Sequence, residues 1–201
     1  MLTSKGNIFL IARTKDGKTT LSKFMASEFG FSFLSASKWV VPSFLAEHPY
    51  VSEPQEYARK ISAYSLEKLM SNPNACVEVV QNDPLATSGH CIIDGVRNPR
   101  DFSILFDPRK DMVVRFEVET NTGTYSDFEK YGLQAIDSIL EWYEKCGLIE
   151  PWQVMRFRVA DRHNGLTLPK PVGNEIPCLQ FEDVISKLRP ALKGSIHATP
   201  R

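Results

Sequence analysis

The chain predicts an α/β fold, a three-layer sandwich with a mostly parallel sheet between two layers of helices. Three observations lead there. Short apolar runs of strand length alternate with helical patterns along the chain, the order that βαβ units produce. The first of these runs passes through a tight loop directly into a helix. The 201 residues suffice for one domain with one substantial core.

Residues 8–11 are wholly apolar and read as a buried strand, residues 12–17 as a loop, and Lys18-Thr19-Thr20 as the start of a helix. In that helix Leu21, Phe24, Met25 and Phe29 recur at helical spacing as one buried face, and Gly30 is a C-terminal stop. Residues 31–36 read as a second strand. Residues 37–41 begin a loop or short helix, and Pro42, Pro49 and Pro54 punctuate the stretch beyond it. Ser52 and Gln55 have the spacing of a capping box for a helix to about Met70, with Ala58, Ile61, Ser65 and Leu69 on one face. Asn72-Pro73-Asn74 ends it.

The β-branched content of residues 75–80 predicts a strand, although Glu78 inside it implies partial exposure or a helix end. Turns at 82–84 and 88–89 lead to a short buried strand at 91–96. Asp101 is expected as the N-cap of the next helix, and Asp107-Pro108-Arg109 as a turn before a strand at 112–118. A long helix at 126–145 shows Phe128, Tyr131, Ala135, Ile139 and Trp142 at helical spacing. Residues 155–159 read as the last core strand, 162–177 as a Gly- and Pro-rich loop, 181–192 as a closing helix and 193–201 as a disordered tail. There is no internal repeat or low-complexity segment.

Composition narrows the partners. The 24 basic and 24 acidic residues cancel, which argues against a dominant electrostatic footprint for nucleic acid. Cys76, Cys91, Cys146 and Cys178 have no C-x-x-C spacing and read as reduced thiols. His48, His90, His163 and His197 form no pair at metal-ligand spacing, so no zinc site is predicted. The N-terminus runs straight into the first strand, leaving no room for a signal peptide, and no apolar run approaches the ~20 residues of a membrane helix. A cytoplasmic protein with no membrane partner is expected, in the host cytoplasm if the chain is viral.

The first motif is Ala12-Arg13-Thr14-Lys15-Asp16-Gly17-Lys18-Thr19. Every position except the first fits G-x-x-x-x-G-K-[ST], the phosphate-binding P-loop, in the strand–loop–helix context that loop requires. Backbone N–H groups and the helix N-terminus would cradle phosphates from Ala12 to Thr20. Lys18 would reach the β- and γ-phosphates as a point charge, and Thr19 would offer its hydroxyl to Mg²⁺. ATP with Mg²⁺ is therefore the expected cofactor. Ala12 in place of glycine is tolerable if its φ stays negative. Asp16 puts a repulsive carboxylate beside the phosphates, offset by Arg13 and Lys15.

The second motif, around Asp94-Gly95-Val96-Arg97, places a carboxylate at the end of a buried strand. In a parallel sheet that end lies beside the P-loop, where ligands bind. Asp94 would organise Mg²⁺, partly through water, or accept a proton from an attacking hydroxyl. Arg97 would clamp an acceptor phosphate or stabilise charge on the transferring group. Lys18, Asp94 and Arg97 are the expected catalytic residues, with Thr19 and Asp94 at the metal.

Together these motifs resemble the P-loop kinases of the nucleoside-monophosphate-kinase type, and most of all the deoxynucleotide kinases of tailed phages and related DNA-modification kinases. The resemblance covers roughly residues 5–35 and 90–118. It implies a P-loop NTPase fold with a five-stranded parallel sheet in a single kinase domain over residues 1–192. It also implies an acceptor-binding insertion at 37–88, a lid-like region at 119–160, and a flexible tail at 193–201. Two departures stand out. One extra residue separates Asp94 from Arg97, and the helix at 126–145 has no lid arginines, the next being Arg156, Arg158 and Arg162.

For the acceptor, Trp39, Tyr50, Tyr57 and Tyr64, with Lys38, Arg59 and Lys60, would stack a base and meet phosphate, although ordinary core packing gives the same pattern. The expected activity is ATP-dependent transfer of the γ-phosphoryl group to a deoxynucleotide-type acceptor. The alternatives are a kinase of 5-hydroxymethyluracil within phage DNA, a small-metabolite kinase, and a non-catalytic nucleotide-binding module.

Overall fold

The apolar run at the start of the chain forms β1 (Ile8–Ile11), buried at all four positions, as a strand covered on both faces must be. The computed structural model describes residues 6–13, 16–50, 54–118, 127–159, 167–168 and 179–180. After β1 come α1 (Lys18–Phe29), β2 (Ser32–Ser35), a 3₁₀ turn (Ala36–Trp39), α2 (Val41–Glu47), α3 (Pro54–Ser71), α4 (Ala75–Gln81) and α5 (Pro84–Thr87). Next are β3 (Cys91–Asp94), α6 (Pro99–Leu105), β4 (Met112–Val118), α7 (Asp127–Lys145) and β5 (Val154–Val159). A two-residue antiparallel ladder, β6 (Thr167–Leu168) with β7 (Leu179–Gln180), forms a second sheet that is not hydrogen-bonded into the main one.

The main sheet has five strands in the order β2-β3-β1-β4-β5, and every pair is parallel. Alternation along β1 divides the core. Ile8 and Leu10 join Leu21, Met25 and Phe29 of α1 on one side. Phe9 and Ile11 join Cys76 and Val80 of α4, Phe102 of α6, and Leu133, Ile136 and Leu140 of α7 on the other. The fold is thus the expected α/β three-layer sandwich. The chains leaving β1 and β3 depart to opposite faces although the two strands are neighbours, and that opens a crevice between their carboxyl ends, where open α/β sheets take ligands.

Several expectations need correction. Residues 75–80 are helical: Cys76, Val77 and Val80 are buried while Glu78 faces solvent, a helical stripe that packing imposes on a β-prone composition. In α1 Leu21, Met25 and Phe29 are buried, but Phe24 is 39% exposed. The N-cap of α6 is Asn98, whose side chain accepts from the backbone N–H of Arg100, and not Asp101, which lies inside the helix and is buried. In α7 the inward stripe runs through Leu133, Ile136 and Leu140, whereas Tyr131 and Trp142 are more than half exposed. Gly30 does stop α1, in the left-handed conformation expected of a C-cap glycine. Ser52 of the proposed capping box, Ser126, Arg162, Cys178, the helix at 181–192 and the tail lie outside the described residues.

Candidate phosphate-binding site

The loop after β1 is closed by its own acid. Asp16 is buried, and its Oδ2 accepts from the backbone N–H of Arg13 at 3.2 Å and from Arg13 Nε at 3.3 Å. The Asp16 N–H donates back to the Arg13 carbonyl at 3.2 Å. Arg13 also pairs with Glu117 at 3.1 Å. The acidic residue that looked out of place beside phosphate is therefore a brace, its charge met by Arg13. Thr14 and Lys15 lie outside the described residues. Ala12 is buried at the strand end, and His90 is the only non-glycine with positive φ among the described residues. Ala12 thus meets the condition under which alanine replaces the first glycine.

Gly17 turns the chain into α1 at φ 87°. A side chain in that conformation costs roughly 1–2 kcal/mol, so the second glycine is required. Its carbonyl accepts from the Leu21 N–H at 3.0 Å, starting the helix, and Thr20 falls in the first turn.

Lys18 is buried, and its Nζ donates to the carbonyls of Ala12 at 2.8 Å and Arg13 at 2.6 Å. An ammonium has three donors, so the ion is anchored over the loop with capacity remaining. Burial pushes its pKa down to about 8, with help from the nearby Arg97 charge, while Glu129, Asp16 and Asp94 pull the other way.

β3 supplies the second wall. Asp94 pairs in register with Leu10 of β1 and is buried. The Thr19 hydroxyl donates to Asp94 Oδ2 at 3.1 Å, so the first turn of α1 and the end of β3 converge. Hard oxygen donors of this kind suit Mg²⁺; Thr19 and Asp94 are the residues that would hold it. Gly95 then takes φ 86°, and a Cβ there would lie 3.3 Å from the Ser37 backbone nitrogen. That close approach brings the β3 end against the turn after β2. Arg97 comes two residues later, its Nε 3.8 Å from Glu129 Oε1.

Lys18, Thr19, Asp94 and Arg97 are thus brought to one crevice. Other expected residues are not. Arg156 is held by Glu144 of α7 at 2.7 Å. Tyr57 and Tyr64 pack on Phe44 in a satellite core between α2 and α3, joined by part of Trp39. Lys60 pairs with Glu56 and Lys38 with Asp83, while Tyr50 is almost wholly exposed. Sequence reasoning missed Glu129. It sits four, seven and eleven residues before Leu133, Ile136 and Leu140, so it is a charge on the register of a buried stripe, and that signal would have found it.

No family model and no curated protein matches the chain. Among solved structures it is similar to a gluconokinase from Sinorhizobium meliloti 1021, at 11% identity over 94% of this chain and 93% of that one, with a TM-score of 0.42. It is also similar to the shikimate kinase from Bacteroides thetaiotaomicron, at 17% identity over 94% and 98%, with a TM-score of 0.40. A shikimate kinase from Aquifex aeolicus gives 14% over 96% and 99%, with a TM-score of 0.36. At such values the site's own residues have to carry any functional reading.

Proposed function

We propose that the chain is an ATP-dependent phosphotransferase that moves the γ-phosphoryl group to a deoxynucleotide-type acceptor. The observation that carries this reading is the Thr19–Asp94 hydrogen bond beside the buried Lys18. It joins a phosphate-binding loop to a carboxylate at the point where charge must be managed.

Phosphoryl transfer asks a protein mainly for positioning and charge stabilisation. The loop N–H groups and the start of α1 would bind the β- and γ-phosphates. Lys18 would neutralise the outer phosphate oxygens, and Arg97 would stabilise charge on the transferring group. Mg²⁺, held by Thr19 and Asp94, supplies further neutralisation of the phosphates when bound. In the transfer the unprotonated phosphate oxygen of a nucleotide acceptor forms a bond to the γ-phosphorus; a hydroxyl acceptor would in addition release its proton, to water or to Asp94. The bond from that phosphorus to the bridging oxygen breaks, and its electron pair leaves with ADP. That the Asp94 carboxylate accepts the Thr19 hydroxyl supports the reading of Asp94 as metal organiser over Asp94 as base.

A second acceptor, 5-hydroxymethyluracil within phage-type DNA, is favoured by one observation. Arg156 is committed to Glu144, which removes a candidate lid arginine and suits an open site for a polymer. The test is transfer of label from γ-labelled ATP with Mg²⁺ to deoxynucleoside monophosphates, or to duplex DNA with and without 5-hydroxymethyluracil, each beside Lys18→Ala. Labelled free nucleotide supports the first acceptor, and labelled modified DNA alone supports the second. Absence of any Lys18-dependent transfer refutes both and leaves a nucleotide-binding module or a small-metabolite kinase.

A further inference from the structure

Glu129 presents an unusual situation. It lies in the first turn of α7, 5% exposed, and a buried carboxylate needs a compensating partner. One cation that faces it is Arg97, at 3.8 Å. That distance gives attraction without a hydrogen bond, and Arg97 Nε is buried with no hydrogen-bond partner among the described residues. As a purely stabilising ion pair the geometry is poor. As a means of aiming a guanidinium while leaving its fork of donors for a phosphate it is well suited.

The same helix grips Arg97 a second time. Gly132 lies three residues on from Glu129, hence on the same face. A Cβ at Gly132 would fall 2.4 Å from the Arg97 carbonyl oxygen. Only glycine lets α7 lie this close, so the helix packs on the Arg97 backbone at Gly132 and faces its side chain with Glu129. The loop it grips begins at Asp94, which is hydrogen-bonded to the P-loop threonine. Lys18 feels the charges of both Arg97 and Glu129, so all three share one electrostatic neighbourhood.

We propose that Glu129 is a positioning residue that holds the Arg97 guanidinium beside Lys18, where it meets the outermost phosphate of the nucleotide. This rests on the phosphotransferase reading and deepens it, making α7 the element that links the Arg97 loop to nucleotide recognition. An arginine on the γ-phosphate distinguishes ATP from ADP, whereas a structural ion pair does not.

The test is the ratio of ATP·Mg²⁺ to ADP·Mg²⁺ affinity by titration calorimetry, with thermal unfolding as a check. The variants are Lys18→Ala, Arg97→Ala, Arg97→Lys, Glu129→Gln, Glu129→Asp and the double Arg97→Ala/Glu129→Gln. Arg97→Ala is expected to cut the preference for ATP about tenfold. Glu129→Gln should lose most of that preference, Glu129→Asp should recover part of it, and the double variant should be no worse than Arg97→Ala. A Glu129→Gln protein that keeps the wild-type ratio, or a double variant with additive losses, overturns the proposal. If Glu129→Gln does not fold, Arg97→Lys decides. It keeps the charge for Glu129 but loses the fork, so a full ATP preference there also overturns it. Lys18-dependent nucleotide binding with an unaltered ratio sinks the positioning role alone. Absence of Lys18-dependent binding sinks both readings.

Discussion

The two ends of the sheet both bury polar side chains, and they use them differently. At the amino end Asp111 accepts from the backbone N–H groups of Asn7 and Asp107, each at 2.8 Å. Gln153 donates to the carbonyls of Pro108 and Asp111. Asn7 donates to Ala86 and accepts from Cys91. This ring ties the starts of β1, β3, β4 and β5 together, and the carboxylate at its centre is spent on main chain. At the carboxyl end Lys18 keeps a donor in reserve, and Arg97 Nε has no hydrogen bond among the described residues. Burial of a polar group therefore does not by itself set one end apart; the difference lies in the donor capacity left unused at Lys18 and Arg97.

The largest expected effect tests that difference directly. Lys18→Ala should reduce phosphotransfer by at least about 10²–10³-fold, while stability changes by only about 1 kcal/mol, because burial already disfavours the ammonium. Asp111→Ala should behave in the opposite way. It strands two buried N–H groups and should cost about 2–5 kcal/mol of stability, with ATP affinity preserved at temperatures where the variant stays folded. Denaturant melts and nucleotide titrations on both proteins check the crossing. A Lys18→Ala protein that unfolds, or an Asp111→Ala protein that folds normally but loses ATP, would erase the contrast.

A pH series sharpens it. Burial raises the Asp111 carboxyl to about 6, against the pull of the two N–H groups. The folded state then binds its proton more tightly than the unfolded chain does, so this group's contribution is greatest below about pH 4 and is lost as pH rises through 6. The stability gap between wild type and Asp111→Asn should narrow by up to about 2–3 kcal/mol over that window. A gap that widens with pH would mean that the ring prefers the carboxylate.

The same contrast explains what the sequence revealed. The strand at 8–11, the turn at Gly17 into the helix at Lys18 and the strand ending in Asp94 were legible because each is written locally. An uninterrupted apolar run, a Gly-Lys-Thr at a helix start and a carboxylate closing a buried strand all lie within a few adjacent residues. The brace at Asp16 and the approach of Glu129 to Arg97 were not legible, since each depends on which partner the fold brings near. The α7 stripe shows why. Aromatic residues at helical spacing drew the expected face through Tyr131 and Trp142, whereas the sheet selected Leu133, Ile136 and Leu140, with Glu129 on the same register. Residues 75–80 failed for a related reason. Their composition suits a strand, and only the buried pattern of Cys76 and Val80, in the core they share with Phe102 of α6, makes them a helix.

The smallest effect is the most specific to the carboxyl end. With its pKa near 8, Lys18 is about half protonated at pH 8 in the free protein. A bound phosphate favours the ammonium and raises that pKa. Nucleotide binding at pH 8 should therefore take up about half a proton, approaching one at higher pH and vanishing near pH 6.5, where Lys18 is already charged. Calorimetry in two buffers of different ionisation enthalpy reads this as a difference in apparent binding enthalpy. Asp111 titrates well below this range and is far from the phosphates, so Asp111→Asn should show the same uptake. Binding with no buffer dependence at any pH from 8 up to about 10, where an ordinary lysine also titrates, would mean that the Lys18 ammonium is not what meets the phosphate, and the carboxyl end would lose its claim to differ from the amino end.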